Sequence, residues 1–147
     1  MIAYRSLTSD ERAFTEKQLR ANQQERAELL KRLRLYDYRA QHLLPAEREY
    51  RKFQLRREYE EITRLLEKSS DKTEKHYYVA RRNEIELLLE DDLVTLDYDA
   101  KTRNAREEAR ELRKNLTTCD IALGDIKALL TKGVSVAEER RAGRRKK

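Results

Sequence analysis

Apolar residues recur at helical spacing along nearly the whole chain, with charged residues filling the positions between them. Leu19, Leu30, Leu33, Tyr36, Ala40 and Leu44 share one face of a first helical stretch, and Tyr50, Leu55, Tyr59, Ile62 and Leu66 resume that face. A second stretch carries Tyr78, Ile85, Leu88, Leu89, Leu93 and Leu96. It then settles into a strict 4-3 repeat: Tyr98, Thr102, Ala105, Ala109, Leu112, Leu116, Cys119, Leu123, Ile126, Leu130. A 4-3 repeat held this long is coiled-coil spacing.

The boundaries of these stretches are written in capping residues. Thr8 and Glu11 form an S/T-x-x-E capping box, so a helix is expected from about residue 9, after a short extended leader over residues 1–8. Within KSSDKTEK, Ser69, Ser70 and Asp71 are turn formers, and Asp71 with Glu74 makes a second box, which predicts a turn at 69–72 and a helix restarting near Lys72. Gly133 follows Lys132 as a C′ residue would. The remainder, residues 133–147, is a basic tail with room for one short helix opened by Ser135.

Two arms of similar length, 9–68 and 73–132, joined by so short a turn must fold back on each other. The expected fold is all-α, a long antiparallel coiled-coil hairpin whose arms would each span roughly 90 Å at the helical rise. With the turn near residue 70, facing positions should sum to about 141. Charge agrees with this rule: residues 84–99 hold seven acids and no Lys or Arg, and they would lie beside 42–57, in which positions 48–57 hold five Lys or Arg and one Glu. Pro45, the only proline, interrupts the first arm. It costs a helix interior about 3 kcal/mol, and the rule sets it opposite Leu96, where Asp97, Asp99, Thr102 and Asn104 weaken the second arm. A bend is therefore expected near Pro45 and near Asp97–Ala100. The alternative is a full break at both places, giving a three- or four-helix bundle.

Composition supports helices over disorder or a globule. The chain of 147 residues is 42% charged and 38% hydrophobic, with three glycines, yet its commonest residues are strong helix formers. The lone Cys119 excludes an internal disulfide and, at an a/d position, is expected to be buried and poorly reactive. No apolar run nears the roughly 20 residues of a membrane span. The N-terminus has no signal or transit pattern, and the expected setting is intracellular, cytoplasmic or cytoskeletal, with nuclear import through the tail as the alternative.

Candidate chemistry fails residue by residue. Glu90, Asp91, Asp92, Asp97 and Asp99 lack the glycine and ligand alternation of a calcium loop. Neither His42 nor His76 belongs to a Glu-x-x-His pair. No metal, cofactor or catalytic residue is expected, which leaves a non-enzymatic structural or adaptor protein that binds protein partners in a larger assembly, with a cytoskeletal or ciliary lattice as one setting. Tyr36, Tyr50, Tyr59, Tyr78 and Tyr98 fit the seam; Tyr38 and Tyr77 fall off it and are candidate partner contacts. Arg140, Arg141, Arg144, Arg145, Lys146 and Lys147 give the tail an anionic partner of its own, and the alternative function is nucleic-acid binding through that tail as a ribonucleoprotein accessory. Self-association into a homo-oligomer is compatible with either function.

Overall fold

A computed structural model describes residues 3–145. The fold is all-α apart from one two-residue strand at each end: β1 (Tyr4–Arg5), α1 (Ser9–Tyr38), a π-helical turn (Arg39–Leu43), α2 (Leu44–Lys68), α3 (Lys72–Glu90), α4 (Leu93–Lys132), β2 (Val134–Ser135) and α5 (Val136–Arg145). The first capping box forms as its sequence dictates, and the second forms by half: Asp71 caps α3, while the Glu74 carboxylate accepts from Ser69 Oγ at 3.0 Å. The Glu11 N–H donates to Thr8 Oγ1 at 3.2 Å and the Thr8 N–H to Glu11 Oε1 at 3.1 Å. The Thr73 and Glu74 N–H groups donate to Asp71 Oδ1 at 2.7 and 3.4 Å.

The chain divides into two units, one of residues 34–109 and one of the remaining N- and C-terminal segments. In the central unit α2 and α3 run antiparallel. Leu55, Ile62, Ile85 and Val94 form its main core, flanked by Tyr59, Leu66, Tyr78 and Tyr98, and Leu55 and Ile85 are wholly excluded from solvent. Ala40, Leu44 and Ala105 make a second, smaller core with Tyr36 and Tyr98 against it. Arg81 clamps the seam by donating to both Glu58 oxygens at 2.7 and 2.9 Å, which holds the Glu58 carboxyl below its ordinary range.

Pro45 does not break the first arm. Helix runs uninterrupted from Ser9 to Lys68, and the proline is accommodated by the widened turn just before it, in which the Leu44 N–H donates to the Arg39 carbonyl. Two physical demands meet in that turn. Extra width relieves the clash between a proline ring and the carbonyl four residues back. It also absorbs a register step: the inward positions Tyr36, Ala40, Leu44, Arg48, Lys52 and Leu55 use one residue more than an unbroken 4-3 pattern would.

The second arm is interrupted, but not at Asp97–Ala100, which is continuous helix. The interruption is Asp91–Asp92, where Asp92 adopts a left-handed φ of 52°. Asp92 then starts α4, accepting from Thr95 Oγ1 at 2.7 Å. This turn inserts residues into the repeat and rotates the helix beyond it. Val94 becomes the buried residue, while Leu93 and Leu96, expected in the seam, are 41% and 60% exposed. The two weak points therefore do not face each other: Asp92 lies beside Lys52, with Nζ 3.2 Å from Oδ1, whereas the turn before Pro45 packs on Ala105. From Tyr98 onward the expected 4-3 positions are all buried or half-buried.

In the terminal unit the first arm contributes a mixed inner face, with Thr15 and Leu29 buried and Leu19, Asn22, Arg26, Leu30 and Leu33 half-buried. The second arm contributes Leu112, Leu116, Cys119 and Leu123. Cys119 Sγ sits 3.4 Å from the Asn22 carbonyl oxygen, and burial pushes its thiol pKa up, as its seam position requires. Arg26 Nε donates to Asp120 at 2.6 Å.

The tail beyond Gly133 is tied to the leader. β1 and β2 pair antiparallel, Tyr4 with Ser135 and Arg5 with Val134, and the Val136 N–H donates to the Ala3 carbonyl at 3.1 Å. Ser135 caps α5 by accepting from the Glu138 N–H at 3.4 Å. Arg5 reaches both sides, donating to the two Glu11 oxygens at 2.8 and 2.9 Å and to the two Glu139 oxygens at 3.0 and 3.2 Å.

Candidate partner-binding surface

Four of the five tyrosines assigned to the seam, Tyr36, Tyr59, Tyr78 and Tyr98, are half-buried there. Tyr59 also donates its hydroxyl to Glu86 at 2.7 Å, a bond that raises its pKa. Tyr50 is different. It is 60% exposed, stacked on Phe53 with ring centroids 6.4 Å apart, and the Arg57 guanidinium lies 5.6 Å from the Phe53 centroid.

Tyr50 belongs to a row that faces away from the seam. Tyr38, His42, Ala46 and Tyr50 each follow an inward position, namely Tyr36, Ala40, Leu44 and Arg48, by two residues. Two residues carry a helix roughly 200° around its axis, to the opposite face. Phe53 and Arg57 continue the row, and all six are exposed. Tyr38 lies against His42 with ring centroids 5.0 Å apart. An outward stripe of aromatics on one helix, with arginines at its end, can bury rings against a partner helix and pair its acids.

The sequence singled out Tyr38 but placed Tyr50 in the seam and passed over Phe53. The missed signal is the spacing Tyr50, Phe53, Arg57, a helical row of its own. It was hidden because Tyr50 also fits the inner pattern if no residue is inserted at the turn before Pro45.

The other candidates stay separate from this stripe. Tyr77 is 61% exposed on α3 and meets Tyr78 edge-on at 5.8 Å. Arg140 and Arg141 are exposed on α5, and Arg141 borders an open cleft of about 540 Å³ with Tyr4, Asp125, Lys132 and Glu138. Arg144 and Arg145 end that helix, while Lys146 and Lys147 lie outside the described residues.

The outer face of the second arm is the electrostatic opposite of the stripe. Leu87 and Leu96 each follow a buried residue, Ile85 and Val94, by two positions and are 56% and 60% exposed among the seven acids of residues 84–99. The pairing of that acidic run with residues 48–57 is slighter than the sequence implies: Lys52 to Asp92 is its one ion pair among the described residues. Asp97 instead pairs with Lys101 and Glu84 with Arg81, both within one helix.

Among the described residues no helix is long and apolar enough to cross a membrane, and no group of three or more His, Cys, Asp or Glu is placed to hold a metal ion. Comparison with protein-family models, curated proteins and solved structures finds no match to this chain.

Proposed function

We propose that this chain is a non-catalytic helical adaptor that takes a helical protein partner against the outer face of the first arm. The observation that carries the reading is the Tyr50–Phe53 stack, two large aromatics held in solvent on a rigid helix beside Arg57. Rings on a preformed helix lose little conformational freedom when covered, and Arg and Tyr are the residues on which interface energy concentrates. A cytoskeletal or ciliary setting suits a formal net charge of +6, since polymers with acidic surfaces attract such a chain.

Capture of partners from cell extract tests the reading, comparing the full chain with Tyr50→Ser/Phe53→Ser and with a chain cut after Gly133. Loss of bound protein in the double variant and its retention in the truncation is the expected result. Loss only in the truncation, of nucleic acid that elutes steeply with salt, would instead support the ribonucleoprotein reading.

A further inference from the structure

We infer that one partner for the aromatic stripe is a second copy of this chain, docked through the acidic, leucine-bearing outer face of its second arm. The inference rests on reading Tyr50 and Phe53 as a docking face, and it names what that face receives.

Charge left unspent within the unit is the first support. Arg57 on one side, and Asp91 and Asp99 on the other, are exposed and make no ion pair among the described residues. Apolar matching is the second. The aromatic stripe offers exposed rings, and the acidic face offers the side chains of Leu87 and Leu96, each more than half exposed. Aromatic and leucine side chains would bury each other while arginines and aspartates pair at the rim, which fixes orientation and makes assembly salt-sensitive.

Geometry then dictates the kind of assembly. The stripe lies opposite the seam on the first arm, and the leucines lie opposite the seam on the second, so the faces point away from each other across the unit. A copy that uses its stripe on a neighbour leaves its own acidic face open. Contact of this kind is heterologous and adds copies in an open row or a ring rather than closing as a two-fold dimer.

Light scattering on the full chain, with two variants and their mixture, decides the point. Tyr50→Ser/Phe53→Ser removes the stripe, and Asp91→Lys/Asp99→Lys sets two repelling lysines into the acidic face; circular dichroism confirms that each remains helical. The wild-type chain should grow past a dimer with concentration in low salt and shrink at about 0.5 M salt, where screening is short-ranged. Each variant alone should associate at least about tenfold more weakly. Their 1:1 mixture should form a heterodimer and stop, because it contains one working stripe and one working acidic face. A wild-type chain that stays monomeric, or a closed dimer that neither variant dissolves, overturns the inference. A monomeric wild-type chain whose capture of other proteins still depends on Tyr50 and Phe53 would overturn only this inference and leave the adaptor reading standing. If the lysine variant proves unfolded, Leu96→Ser replaces it, with the same outcomes.

Discussion

Lys52 and Asp92 join the basic run of the first arm to the acidic run of the second, and they do so where the second arm is interrupted. Asp92 there occupies left-handed backbone, which a β-branched residue tolerates poorly. Asp92→Val should cost about 1–3 kcal/mol, from backbone strain and loss of the bonds to Thr95 and Lys52. Asp92→Gly, which relieves the strain but loses the same side-chain bonds, should cost less. Urea unfolding midpoints of the two variants give the comparison, and equal losses would show that the backbone is not strained there.

Register after that turn is open to a direct check. Leu55 is fully buried and Leu96 is 60% exposed, although both fit an uninterrupted apolar pattern. Leu55→Ala should cost about 2–5 kcal/mol by cavity formation. Leu96→Ala should fall within about 0.5 kcal/mol of wild type, as surface substitutions do. Thermal or urea unfolding of both variants is sufficient, and a large loss at Leu96 would place it back in the seam.

Pro45→Ala restores a donor, while the ring's clash is already relieved by the widened turn. Stability should rise by clearly less than the about 3 kcal/mol that a proline costs in a regular helix interior. The wide turn at Arg39–Leu43 should nevertheless persist, because Tyr36, Ala40 and Leu44 need the extra residue to keep facing inward. Amide chemical shifts of residues 39–44 in the variant would report it; their conversion to ordinary α-helical values would make the proline the sole cause.

The terminal clasp should open in acid. Hydrogen bonds from Arg5, then from the Thr8 backbone, lower the Glu11 pKa from 4.5 to about 2. A depressed carboxylate contributes stability that is present above its unfolded pKa and lost as pH falls through its folded one. Val136 and Ala3 should thus stay paired at neutral pH and separate as pH falls from about 4.5 toward 2, followed by the Val136 amide shift. Gly133→Ala should loosen the same clasp at every pH, since Gly133 has φ 86° and a β carbon there would strike the Arg5 carbonyl.

Much of this fold was legible because its signals are local. Thr8, Asp71 and Gly133 mark the arm ends by capping chemistry, and the run from Tyr98 to Leu130 reads directly as a 4-3 face. What escaped was register. A one-residue insertion leaves no mark when the neighbours on both sides are apolar or aromatic, so the turn before Pro45 concealed Tyr50's outward direction. Asp91–Asp92 resembled part of an acidic helix face, and Asp97 and Asp99, weaker formers on propensity alone, are held helical by the packing of Val94 before them and Tyr98 between them. The pairing of Tyr4–Arg5 with Val134–Ser135 joins residues far apart in the chain and has no local pattern.

The docking role of the outer stripe is most directly tested by photo-crosslinking from position 50. The full chain carrying Tyr50→benzoylphenylalanine, irradiated in cell extract, should cross-link to a helical protein segment, whether of another copy or of another protein. The same group placed at Ile121, which is also exposed (62%) but lies outside the stripe, should give only background. Equal cross-linking from both positions, or none from position 50, would contradict the assignment of the Tyr50–Phe53 face as a binding surface.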